Sequence, residues 1–151
     1  MNIDFLFDTF LIDSNNQQIP ASILKGKLIF LYFSANWCVI CHGISPKLEQ
    51  FSSELIRQNK SAKIVLVSVD QNIEEFNSIF IQPKKTYLAI PYESNGVREG
   101  LIDVFGISSL PILLAITDQG LVIEPECTDL LVNDHLMGLL DVMIQISQSP
   151  N

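Results

Sequence analysis

Leu28-Ile-Phe-Leu-Tyr-Phe33 is the stretch that most limits what this chain can fold into. A strand with one wet face alternates apolar and polar residues, whereas this run is apolar throughout. Such a run suits a strand covered on both faces, as in the middle of an α/β sheet. Ser34-Ala35-Asn36 ends it, and Trp37-Cys38-Val39-Ile40-Cys41 follows. Ile40, Ile44, Leu48, Phe51 and Leu55 then recur at helical spacing, which places Cys38 near a helix N-terminus. A CxxC pair on a strand-to-helix turn points to redox chemistry.

The physical case rests on that position. Two thiols three residues apart at a helix start face each other closely enough to bridge with little strain. Unpaired N–H groups and the partial positive charge of the first turn both favour a thiolate there. Cysteines so placed have pKa values lowered from ~8.5 into roughly the 3.5–7.5 range. The thiolate is the attacking species in disulfide exchange, which passes through a mixed disulfide. Cys38, at the outer end of the helix, is the expected nucleophile. Cys41, one turn further in, is the expected resolving thiol.

The rest of the chain narrows the setting. At 151 residues it fits one domain, residues 1–151, with 48% hydrophobic and 17% charged content, which excludes a disordered reading. Its net charge is −8, without a basic cluster, which argues against nucleic acid and anionic membrane surfaces as partners. No apolar run approaches the ~18 residues needed to span a bilayer. Met1-Asn-Ile-Asp-Phe-Leu-Phe-Asp8 has no basic leader and carries two acids, unlike a targeting peptide. Three cysteines, two of them in CxxC, are not a secreted disulfide framework. The expected location is cytoplasmic, or nuclear.

Phe5–Ile12 and Ile19–Leu24, joined by the polar Asp13–Gln18, read as an N-terminal β-hairpin. A helix is expected from about Val39 to Gln58, with Pro46 removing one of its hydrogen bonds. Lys63–Val69 reads as a second buried strand, Asn72–Phe80 as a helix, and Pro83–Pro91 as irregular chain packed under the sheet. Gly96–Phe105 reads as a helix closed by Gly106, followed by strands Ile112–Thr117 and Val122–Ile123 around a turn at 118–121. Leu136, Leu139, Leu140, Met143 and Ile144 mark a last amphipathic helix. This order implies an α/β fold, a mixed central β-sheet flanked by helices on both faces.

Trp37-Cys38-x-x-Cys41 after a buried strand, with Pro46 eight residues past Cys38, resembles thioredoxin-like proteins. Leu31–Cys38, Val67–Asp70, Leu88–Glu93 and Val104–Pro111 are most similar to the tryparedoxin and nucleoredoxin branch, a likeness running from about Phe5 to Ile146. The resemblance implies a thioredoxin-like fold with a helical insertion before the cis-Pro strand. It also implies that Pro111 is the cis-proline facing the CxxC. The Leu110 backbone would then pair with an extended substrate, and Trp37 would supply a flat apolar lip beside the nucleophile. Three departures stand out. Val39-Ile40 replaces the branch's common Pro-Pro or Gly-Pro. Tyr32 stands where small thioredoxins carry a buried acid, as in tryparedoxins. Val69 and Gln71 flank Asp70 where the branch often has Trp and Glu.

The function expected is a thiol–disulfide oxidoreductase, a protein-disulfide reductase, with no cofactor beyond its own Cys38–Cys41 disulfide. Its partners would be disulfide-containing proteins and an electron donor, either a reductase or a low-molecular-weight thiol. The alternative is a non-catalytic thioredoxin-fold module that senses redox state by binding. Cys38-Val-Ile-Cys-His42 also matches the c-type haem string. That reading needs a mostly helical, haem-wrapping chain, and this sequence places its apolar residues on buried strands. Zinc needs about four ligands, and only Cys127, His42 and His135 would join the pair.

His42 is either a charge beside the thiols or a solvated helix residue. Tyr32 reads as core, and Asp70 either as an aid to proton transfer or, the favoured reading, as the cap of the helix after its strand. Lys84-Lys85 read as a solvated face. Cys127 reads as an exposed loop bystander, open to a covalent dimer.

Overall fold

A computed structural model of the chain describes residues 2–149. The apolar run forms β3 (Leu28–Ser34), every residue of it buried. It pairs in parallel with β4 (Ala62–Ser68) on one side, and antiparallel with β6 (Ile112–Ile116) on the other. The long helix α2 (Val39–Arg57) makes the crossover from β3 to β4 and runs through Pro46.

Alternation along β3 divides the core in two. Leu28, Phe30 and Tyr32 face one layer with Ile44, Leu48, Phe51 and Leu55 of α2. That layer also takes Phe76 and Phe80 of α3 (Ile73–Phe80), and Leu136, Leu140 and Met143 of α6 (Leu136–Ser147). Ile29, Leu31 and Phe33 face the opposite layer with Leu6 and with Leu101 of α4 (Asn95–Phe105). Burying a side chain of this size contributes about 1.5–3 kcal/mol, so covering β3 on both faces roughly doubles what a half-wet strand of the same length would gain. Phe30 meets Phe51 edge-on at 5.3 Å, locking α2 over the central strand.

The sheet has seven strands in the order β2-β1-β5-β4-β3-β6-β7. Here β1 is Phe10–Ile12, β2 is Gln18–Pro20, β5 is Leu88–Ala89 and β7 is Val122–Glu124. Parallel and antiparallel ladders occur together, so the mixed sheet with helices on both faces is observed. Gly106 closes α4 with φ +63°, a left-handed residue that glycine adopts without a Cβ clash. Among the described residues, no helix is long and apolar enough to cross a membrane.

Three expectations need correction. The N-terminal hairpin forms, but its first strand starts only at Phe10. Asp4–Phe7 is instead a single helical turn, α1, opened by the Asn2 side chain accepting the Asp4 N–H at 2.7 Å. Phe5 lies against Gly100 of α4, where an added Cβ would come within 2.9 Å of its ring. Residues 21–24 form a 3₁₀ turn rather than strand. Within Pro83–Pro91, Leu88-Ala89 enters the sheet as β5, bridging β4 to β1. Two residues are too few to show a period. A short helix α5 (Cys127–Val132) takes the place of the loop expected around Cys127.

Candidate active site

The site lies where β3 hands over to α2. Cys38 is the N-cap residue of α2, with extended backbone, and its Sγ accepts the Cys41 N–H at 3.2 Å. A helix-start amide that would otherwise lack a partner thus points at sulfur. Cys38 and Cys41 form a disulfide with Cα atoms 5.3 Å apart, within the range such a bridge needs. Cys38 is 8% exposed and Cys41 3% exposed, so the outer sulfur residue is the more accessible of the two. Around them the surface is apolar and open: Trp37 is 54%, Val39 83% and Ile40 66% exposed.

The turn before the bridge is held from both sides at one peptide-bearing residue. Asn36 donates its N–H to an Asp70 carboxylate oxygen at 2.6 Å, and its carbonyl accepts Nε2–H of His42 at 2.6 Å. The second Asp70 oxygen accepts the Ser68 hydroxyl at 2.6 Å. Burial pushes the Asp70 carboxyl up, against the hydrogen bonds from Ser68 and Asn36 that hold it down. The end of β4 is itself braced by buried Arg98, which donates to the carbonyls of Ser68 at 3.0 Å and Tyr92 at 2.9 Å, and to Asn95 Oδ1. The helix after β4 is capped by Asn72, whose side chain accepts the Glu75 N–H, so Asp70 is not its cap. Asp70 is a clamp on the CxxC turn instead. Its separation of 34 residues from Asn36 left no local signal to read.

Two hollows flank the bridge. On the Cys38 side, a groove of about 360 Å³ is lined by Trp37, Cys38, Val69, Ile102, Ile107 and Leu110. The Leu110–Pro111 peptide at its edge is cis. Among the described residues, the backbone of 108–110 makes no hydrogen bond within the chain, so its amides and carbonyls are free beside the groove. The adjacent Trp37 and Cys38 are thus brought together with Leu110 from a distant part of the chain.

On the Cys41 side lies a cavity of about 420 Å³ lined by Tyr32, Ser34, Cys41, Ser45, Glu49 and Lys85, among others. Tyr32 is buried as expected, edge-on to Tyr87 at 6.4 Å. Burial pushes its phenol up, so the hydroxyl stays protonated beside Cys41 rather than acting as a base.

Cys127 departs most from expectation. It is fully buried, and its thiol reaches the Glu124 carbonyl at 3.5 Å. Burial pushes that thiol up to about 12, which leaves almost no thiolate at neutral pH. An exposed thiol able to link two copies is therefore excluded. Lys85 departs too: it is half-buried, with Nζ donating to Ser45 Oγ at 3.2 Å, not a solvated side chain.

A sequence model described as thioredoxin-like matches residues 26–122, the span from before β3 to the start of β7. The chain belongs to the thioredoxin-like family. Tryparedoxin of Trypanosoma brucei brucei is 33% identical over 122 residues, covering 80% of this chain and 83% of that protein. Human nucleoredoxin is 30% identical over 125 residues, 83% of this chain, but the match spans only 28% of nucleoredoxin's own length.

Among solved structures, tryparedoxin II of Crithidia fasciculata aligns with a TM-score of 0.77 at 28% identity, over 87% of this chain and 91% of that one. Tryparedoxin II complexed with glutathionylspermidine aligns with a TM-score of 0.75 at 27% identity, over 86% and 89%. The observed fold is the thioredoxin-like one expected from the sequence. Its CxxC pair, at bonding distance, places the chain with the thiol oxidoreductases of the tryparedoxin and nucleoredoxin kind.

Proposed function

We infer that this chain is a protein-disulfide reductase that works as one thioredoxin-like domain over residues 1–151. The observation that carries the reading is Cys38 at the N-cap of α2, bonded to Cys41 and opening onto the apolar groove. A Cys38 thiolate is favoured by the free amides of the first turn and attacks a substrate disulfide held in that groove. The free backbone at 108–110 pairs with an extended substrate segment, and Trp37 covers it from the other side. One substrate sulfur leaves as a thiol while the other stays bonded to Cys38. Cys41 then attacks Cys38 Sγ, the second substrate thiol departs, and the protein is left as the Cys38–Cys41 disulfide. The pair is its own redox centre, without a further cofactor.

The substrates in this reading are disulfide-bearing proteins. Re-reduction draws on a low-molecular-weight thiol or a reductase in a cytoplasmic or nuclear setting. The test is reduction of insulin disulfides by dithiothreitol, with wild type compared against Cys38→Ser. Wild type is expected to accelerate the reaction and Cys38→Ser to match the uncatalysed rate. If wild type reduces no disulfide, yet its capture of a partner changes when the pair is oxidised, the protein is a redox-sensing binding module instead. The exposed Val39 and Ile40 that border the bridge would serve such a module as well as an enzyme.

A further inference from the structure

The cavity behind Cys41 lies apart from the groove beside Cys38, and the proposed reductase cycle leaves its charges unused. Cys41, Ser45 and Glu49 are spaced i, i+4, i+8, so they stand on one stripe of α2 facing it. The other titratable groups on its walls are Tyr32 from β3, His42 from α2, and Lys84, Lys85 and Tyr87 from the segment leading into β5. Of these, Lys85 is the one built in. Its carbonyl accepts the Ser14 hydroxyl at 2.8 Å, and its Nζ donates to Ser45 Oγ at 3.2 Å. The next residue, Thr86, donates its N–H to Glu49 at 2.7 Å and its hydroxyl to Ser52 Oγ at 2.7 Å.

The charges near Cys41 do not cancel. Glu49 keeps its charge but stands two turns from Cys41, bonded to the Thr86 amide, whereas the Lys85 ammonium sits on Ser45, one turn away, and none of the ion pairs among the described residues includes it. Lys84 is exposed, which lets water and salt screen it. His42 is turned to the Asn36 carbonyl. Side chains at i and i+4 of a helix lie about 5–6 Å apart at Cβ, so the ammonium on Ser45 sits about one turn from Cys41 across a shared hollow. The strand beneath offers only the neutral Tyr32 hydroxyl.

We propose that Lys85 is a positioning residue for the resolving thiol: held by Ser45, its ammonium supports the Cys41 thiolate through the cavity behind the bridge. The proposal rests on the reading that Cys41 resolves the mixed disulfide. In that step the Cys41 thiol gives its proton to solvent, and its sulfur attacks Cys38 Sγ. The Cys38–Cys41 bond forms as the bond from Cys38 to the substrate sulfur breaks. The departing thiolate takes up a proton, and over the whole cycle two electrons pass from the dithiol to the substrate. Lys85 takes no part in these proton transfers and acts only by its field.

The experiment titrates Cys41 directly in the full chain carrying Cys38→Ser, by NMR of cysteine labelled at Cβ with ¹³C, so that it does not depend on turnover. Buried Cys127 serves as the non-titrating internal reference. Adding Lys85→Met is expected to raise the Cys41 pKa by roughly half a unit or more, and Lys85→Arg to restore it. Ser45→Ala, which frees the ammonium, should give part of the same shift. Glu49→Gln, which removes the opposing charge, should move it the other way.

With Cys38 intact, Lys85→Met should slow closure of a preformed mixed disulfide about threefold at pH 7, and less as the pH rises. If Lys85→Met fails to fold, the Ser45→Ala titration decides. A Cys41 titration that neither Lys85→Met nor Ser45→Ala moves, in proteins with unchanged melting, overturns the proposal. Absence of disulfide reduction by wild type would overturn the reductase reading alone and leave the titration to be judged separately.

Discussion

Cys38 and Cys41 are bonded to each other, yet they look into unlike surroundings. The Cys38 side is open and apolar, a groove walled by Trp37, Ile102, Ile107 and Leu110 with free backbone along one edge. The hollow on the Cys41 side is also open and mostly apolar in surface, but Ser34, Ser45, Glu49 and Lys85 meet two tyrosines on its walls, which places charges there that the groove lacks. Because α2 starts at the bridge, a single helical turn carries the chain from one environment to the other. The difference suggests a division of labour across one covalent bond. On the proposed reading, apolar area and unpaired amides would recognise a substrate, and the charges and hydroxyls behind the bridge would support the inner thiol. Asn36, clamped by Asp70 and His42, holds the two sides in register.

Serine replacements test that division with the largest effects. Cys38→Ser should bring disulfide reduction down to the uncatalysed rate. Cys41→Ser should accumulate a stoichiometric mixed disulfide with substrate, visible on non-reducing gels and by mass spectrometry. If Cys38→Ser were the variant that trapped substrate, the roles of the two sides would be exchanged.

Trp37→Ala comes next. It removes apolar area from the outer side alone, and should lower kcat/KM for an insulin-like substrate roughly tenfold, about 1.4 kcal/mol of transition-state binding. The rate at which Cys41 closes a preformed mixed disulfide should hardly change. An equal slowing of both steps would dissolve the distinction between recognition and resolution.

The clamp between the sides has its own pH signature. Asp70 titrates above the ordinary carboxylate value of 3.8 because burial disfavours its charge. Between that value and its raised one, the folded protein holds a proton that the unfolded chain has lost. Its contribution to stability is therefore fully present at low pH and is lost as pH rises through the raised value. Asp70→Asn cannot lose a proton. In thermal melts from pH 4 to pH 7, the variant should gain stability relative to wild type as the pH increases. A constant difference would show that Asp70 binds its proton alike in both states.

The smallest effect is expected at Cys127, which belongs to neither side. Native protein should leave this thiol unmodified by a thiol reagent that labels the reduced pair. Cys127→Ala should cost about 1 kcal/mol of stability and leave reduction kinetics unchanged.

Residues near one another in the sequence carried most of the fold and the heart of the site. The unbroken Leu28–Phe33 run required cover on both faces, and the spacing of Ile44, Leu48, Phe51 and Leu55 set the helix that begins at the bridge. These features are legible because strand burial and helix amphipathicity repeat along the chain. Tertiary structure decided the rest. Asp70 reaches Asn36 across 34 residues, and Lys85 reaches Ser45 across 40, so neither partner could be inferred from local composition. Leu88-Ala89 becomes strand only because β4 and β1 leave room for one between them. Cys127 is sealed in because α5 packs against β6, where Thr128 Oγ1 accepts the Leu113 N–H at 2.9 Å. Periodicity tells which face of an element turns inward. Which particular charge or hydroxyl meets it there depends on how distant elements are set in register, and only the assembled chain holds that information.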